Sequence, residues 1–298
     1  MMGVGILAGF LSVLFMCTSY IFSRTYIRKH QSPVKLSLFS QLVMGIIGLG
    51  MLTFALATLK LPATGAFWAV IGGQTLTFLL GQTSFFMLLK EIEATRASSL
   101  IGLKLLALAV ITLCLGQRLT PVCGAALLLC TVSAVGMNFS GGRISLRSCF
   151  WLGLASFSYA ACDICVTKLM LMIPGKSMLH NALAVMGCCF SLLGIAVLPG
   201  LLKMPPQKNE FKDAVPYALV YLGSMFFLYV SFGLIGVVSG SIVQASRGIV
   251  SIVLGILLLR LGWEKNEPKA SGKIWVRRLV MAALMLAGIT LYTLNVNR

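Results

Sequence analysis

The sequence predicts an all-α integral membrane protein of ten transmembrane helices, arranged as two inverted five-helix repeats. Three observations predict it. The 298-residue chain is 58% hydrophobic and only 10% charged, where a soluble fold carries about 25% charged residues, and its mean hydropathy is +0.97. Ten nearly uncharged runs are long enough to cross a hydrocarbon core of about 30 Å, which takes roughly 20 apolar residues per helix. The chain also repeats itself weakly at an offset of 142 to 144 residues.

In chain order the predicted spans are residues 3–23, 36–59, 65–89, 97–117, 121–139, 147–168, 178–202, 214–238, 239–259 and 274–294. The first lacks the basic flank and small-residue cleavage site of a secretory signal, so it reads as a retained helix. Connections are short, which leaves almost all of the mass in the membrane. The tenth span opens with Arg277 and Arg278, whose long stems allow their charges to snorkel to the interface.

A net charge of +17 would suit nucleic acid if it formed one solvated face. Instead the basic residues fall in short clusters between apolar runs. Seventeen of them follow odd-numbered spans, in groups such as Arg24, Arg28, Lys29 and Lys35, or Lys203, Lys208 and Lys212; five lie in even-numbered loops and the termini. By the positive-inside rule this places the odd loops in the cytoplasm and both termini outside.

In the repeat, the first span overlies the sixth, with Gly9 over Gly153, Ser12 over Ser156, Phe15 over Tyr159 and Arg24 over Lys168. The start of the fourth span likewise overlies that of the ninth, giving repeats 1–142 and 143–298. An odd number of spans per repeat turns the second one upside down, the arrangement of secondary transporters whose solute site lies near the midplane.

Two short hairpins, KEIEATRASS and GVVSGS, lead into the fourth and ninth spans, and LCLGQRLTP…GAALLLCTVSAVGMNF closes the first repeat. With Ala97-Ser98-Ser99-Leu100, these stretches resemble the drug/metabolite transporter superfamily in its ten-helix EamA-like form. The sequence departs from that pattern at Gln117, where the family has glutamate, and at Lys104, where it has proline. The resemblance implies a secondary transporter in a bacterial inner membrane, with both termini in the cytoplasm, opposite to the charge count. It also implies a small-molecule solute, a monomer or homodimer, and coupling to protons or a counter-substrate.

Three ionisable residues lie deep in spans: Lys104, Asp163 and Arg247. Each costs about 2.5–3.5 kcal/mol at a helix centre and so calls for a partner or a purpose. Lys104 aligns beside Arg247 in the repeat, so the two cations are expected to face one cavity from opposite halves. Their excess charge suits a phosphorylated or carboxylated anion, which arginine holds with a planar fork and lysine with a mobile point charge. Sugar-phosphate exchangers of the resembled superfamily likewise carry basic residues on their fourth and ninth helices, and Gln244 precedes Arg247 in this pattern. Ser99, Gln74, Gln82, Tyr20 and Tyr159 are further candidates for lining the cavity, with interhelical hydrogen bonding as the alternative role.

Asp163 has three open readings: a salt bridge to one cation, a proton acceptor for coupling, or a residue near the end of the sixth helix at the interface. Small residues, among them Gly153, Ser156, Ala160, Gly248 and Gly255, are expected to allow close helix crossings. The cysteines, mostly inside apolar runs, read as buried free thiols. No cofactor, metal site, nucleic-acid contact, ATP-binding loop or intramembrane enzyme chemistry is expected. Two other functions remain open: an exporter of amino acids or amphipathic drugs, and a scaffold that moves nothing.

Overall fold

The computed structural model describes residues 2–57, 59–114, 121–138, 145–173, 177–205, 207–260 and 272–296. Among these residues every element is helical. The helices are α1 (Met2–His30), α2 (Pro33–Leu56), α3 (Gly65–Glu91), α4 (Ala94–Leu100), α5 (Lys104–Cys114), α6 (Pro121–Asn138), α7 (Leu146–Met172), α8 (Met178–Ala196), α9 (Leu198–Lys203), α10 (Lys208–Ala245), α11 (Arg247–Arg260) and α12 (Gly272–Val296). A 3-10 turn, Ile101–Leu103, joins α4 to α5.

Local chemistry sets the helix ends. Gln31 takes a left-handed conformation at φ 54°, and its N–H donates to the Ile27 carbonyl at 2.8 Å, which closes α1 and turns the chain sharply. Ser32 then caps α2 ahead of Pro33, a residue suited to a first turn because it has no amide hydrogen to satisfy. Thr64 and Ser145 cap α3 and α7 in the same way, their hydroxyls accepting from Phe67 N and Ser148 N.

The protein is a multi-pass membrane protein, and its polarity is distributed accordingly. Among the described residues, five stretches are long and apolar enough to cross a bilayer: Met2–His30, Pro33–Leu56, Leu146–Met172, Met178–Lys203 and Lys208–Val237. Leu7, Ile46, Leu76, Leu128 and Phe150 face outward, while Ser12, Ser40, Gln41, Gln74 and Gln82 are fully buried. Water would favour the reverse; a lipid solvent favours this one.

Helices pair antiparallel across the molecule: α1 lies along α10, α2 along α8, α3 along α7, and α6 packs on α12. At the α2–α8 crossing two backbones approach closely, since a Cβ on Gly45 would stand 2.5 Å from the Gly194 Cα. Gly153, expected at a close crossing, is not one: a Cβ there would meet nothing within 4 Å.

Several predicted spans are not single helices. The fourth breaks at Ile101–Leu103, and the seventh divides between α8 and α9 near Pro199. Helix α10 contains the eighth span and the start of the ninth, predicted to meet at 238/239; the backbone breaks instead at Gly236, where φ 78° and ψ 164° interrupt the helix. Only glycine adopts such angles readily. The ninth span breaks again at Ser246, before α11.

Candidate functional site

Both deep cations stand at helix breaks. Lys104 is the first residue of α5, after the 3-10 turn, and Arg247 is the first residue of α11, after Ser246. Sequence reading put each about two turns inside a continuous helix; the breaks instead bring them to interrupted backbone. A break frees backbone groups that need partners in a dry interior. One of them, the Ile101 carbonyl, accepts from Arg247 Nη2 at 3.1 Å. The guanidinium thus satisfies the interrupted helix of the other half.

The reciprocal bond comes from Lys104. Its ammonium donates to Gln244 Oε1 at 2.5 Å, just ahead of the second break, and to Asp163 Oδ2 at 2.6 Å. Arg247 thus bonds the backbone of the first break, and Lys104 bonds a side chain just before the second. Lys104, Asp163 and Arg247 are 5%, 7% and 3% exposed, so these bonds lie where electrostatic interactions are strong and unpaired charges costly.

Asp163 is not interfacial. It sits well inside α7, facing the bundle centre, and its salt bridge to Lys104 neutralises one of the two cations. Arg247 Nη2 donates to the Ile101 carbonyl and Nη1 to Met16 Sδ at 3.6 Å, and no carboxylate pairs with it among the described residues. Its Nε and the Nε2 of Gln244, both buried, have no hydrogen-bond partner among the described residues. Two cations and one carboxylate thus leave a single positive charge uncompensated among the described residues.

Lys104, Asp163, Gln244, Arg247, Tyr20 and Tyr159 line one central cavity. Its remaining walls are mostly aromatic and apolar, with Phe78, Tyr221, Tyr229, Met16 and Cys162 among them. About 20 Å³ is open to the centre of a water molecule, room for roughly one water. Its charged and tyrosine walls are buried.

Gln74 and Gln82 stand behind the walls. Gln74 Nε2 donates to Tyr229 OH at 3.4 Å, and Gln82 accepts from Tyr159 OH at 2.9 Å while donating to Tyr217 OH. Both serve as interhelical bonds that orient the cavity tyrosines. Ser99 lies on α4, but its side chain is outside the described part of the structure, as are residues 115–120, which include Gln117. Sequence reading missed Tyr221 and Tyr229. The signal was the spacing of Tyr217, Tyr221, Met225 and Tyr229 at single-turn intervals along α10, which puts all four on one face.

Residues 3–139 match the EamA-like transporter family. No curated protein sequence matches the chain. Among solved structures, a crystal structure 16% identical in sequence superposes with a TM-score of 0.64, covering 100% of this chain and 99% of its own. That likeness is one of fold.

Proposed function

We propose that this chain, whose residues 3–139 match the EamA-like transporter family, is a secondary transporter of the drug/metabolite transporter superfamily. It moves a small organic anion, carboxylated or phosphorylated, by alternating access. Ten crossing segments form two inverted repeats, 1–142 and 143–298, and the solute binds between them in a bacterial inner membrane. The family match ends at residue 139, close to the boundary drawn from the repeat. Helix pairing supports the same two-fold relation: exchanging the repeats turns the α1–α10 pair into α7–α3 and returns α2–α8 and α6–α12 to themselves. The paired breaks at Lys104 and Arg247 support a midplane site, the setting in which discontinuous helices hold transported solutes.

One observation carries the anion reading: Arg247 is buried, faces the cavity and pairs with no carboxylate among the described residues, leaving one uncompensated charge beside the neutral Lys104–Asp163 pair. The test is thermal unfolding of purified protein against anionic, zwitterionic and cationic solutes, since a ligand that binds only the folded state stabilises it. Anions should raise the unfolding temperature of wild-type protein, and Arg247→Leu should lose that response and uptake into proteoliposomes while remaining folded. Stabilisation by cations alone would refute the reading.

Two other readings each have an observation behind them. The aromatic walls and the Asp163 carboxylate suit an exported amino acid or amphipathic drug, which the same panel distinguishes. The buried charged walls, with both cations bonded internally, suit a non-transporting scaffold, for which no solute would stabilise the protein.

A further inference from the structure

Every described carboxylate other than Asp163 stands at one end of the bundle, where α1 and α3 finish and α2, α7 and α10 begin. Arg24 Nη1 marks this common end by donating to the Leu89 and Ile92 carbonyls at the end of α3. It is also the end to which the odd-numbered loops bring their basic residues. Acids on so basic a face have many cations to choose from, yet their bonds follow a pattern.

The ion pairs of Lys29, His30, Lys35 and Arg147 here each join the two halves. Asp213 accepts from Lys29 Nζ at 2.6 Å and from His30 Nε2 at 2.8 Å; both Glu210 oxygens lie 2.9 Å from Lys35 Nζ. In the opposite sense, Glu91 of the first half stands 3.3 Å from Arg147 Nε and accepts from Ser145 and Ser148 of the second. Among the described residues, no ion pair joins the halves at the opposite end.

A polar column links these bonds to the cavity. Tyr159, on the cavity wall, bonds Gln82, which bonds Tyr217; Asp213 lies one turn before Tyr217 on α10. Rings close the column, with Phe86 against Tyr217 at 5.2 Å and Phe39 against Phe211 at 6.0 Å between centroids.

We infer that this end is a gate: the Lys29/His30–Asp213, Lys35–Glu210 and Glu91–Arg147 pairs latch the two halves shut over a route from the cavity past Tyr159 and Tyr217. Latches of this kind hold only while the halves meet on this side, and they part when the cavity opens to it. The inference rests on the alternating-access reading. Lys35–Glu210 is the pair to test, because it is the more enclosed of the exposed bridges, at 24% and 13% side-chain exposure.

The test uses native Cys162, which lines the cavity, as the sole cysteine, the other eight replaced by alanine. Membrane vesicles of each orientation are treated with a small, charged, membrane-impermeant thiosulfonate. From the basic face, Cys162 should react at least tenfold faster in Lys35→Glu and in Glu210→Lys than in the background protein. The double variant Lys35→Glu/Glu210→Lys, with the pair re-formed in reverse, should return to the slow rate, which also establishes that the reversed charges are compatible with folding. Equal rates from the basic face in all four proteins overturn the gate and leave alternating access standing. Protection of Cys162 from both faces in every variant overturns both.

Discussion

Lys104 and Asp163 are two charges that exist at membrane depth only because of each other. Removing one partner of a buried pair strands the other, at a cost of roughly 3–5 kcal/mol, whereas replacing both with apolar groups of similar size is near neutral or stabilising. Lys104→Met is therefore expected to lower unfolding stability by about that amount, and Lys104→Met/Asp163→Leu to recover most of it, as measured by denaturant unfolding in mild detergent. If the two single losses simply add in the double variant, the pair does not act as a unit. The three intramembrane ionisable residues were legible in the sequence because their insertion cost singles them out. Which two would pair was not, because that depends on a helix break that leaves no mark in hydropathy.

Breaks of this kind separate what sequence reading finds from what it misses. A long apolar run specifies that a helix crosses lipid, and α1, α3 and α7 contain the predicted spans with longer ends, while α2 stops at Leu56, short of the predicted residue 59. It does not specify that the helix is continuous, since freed backbone groups are satisfied by residues far away in sequence, such as Arg247 for Ile101. The Gly236 turn is different, because its backbone angles demand one residue type. Gly236→Ala should cost about 1–3 kcal/mol in unfolding stability, the usual penalty for a side chain in that region. Steric predictions also divide by position. Gly45→Leu forces a side chain into the Gly194 backbone at the α2–α8 crossing and should abolish the folded, monodisperse peak in size-exclusion chromatography. Gly153→Ala, with open space at that position, should leave both the peak and the unfolding temperature unchanged.

Across the whole molecule, the major helix contacts run between halves rather than within them, because α1, α2 and α3 have α10, α8 and α7 as their principal partners. Residues 1–142 expressed alone should thus fail to yield stable protein, while coexpression with 143–298 as a separate chain should allow the two to copurify. A first half that is stable by itself would contradict this interleaving. The pairing of α1, α2 and α3 with later helices was not legible in the sequence, since a weak offset alignment carries no information on which face of a helix meets which. The interleaving also gives the protein a native optical reporter. The Cys17 thiol on α1 donates to the backbone carbonyl of Arg247, 3.6 Å away, so its S–H stretching band reads the contact between the first helix and the start of α11 without an attached label. If the halves slide when a solute is bound, that infrared band should shift toward the frequency of an unbonded thiol, and Cys17→Ala would identify it by its disappearance.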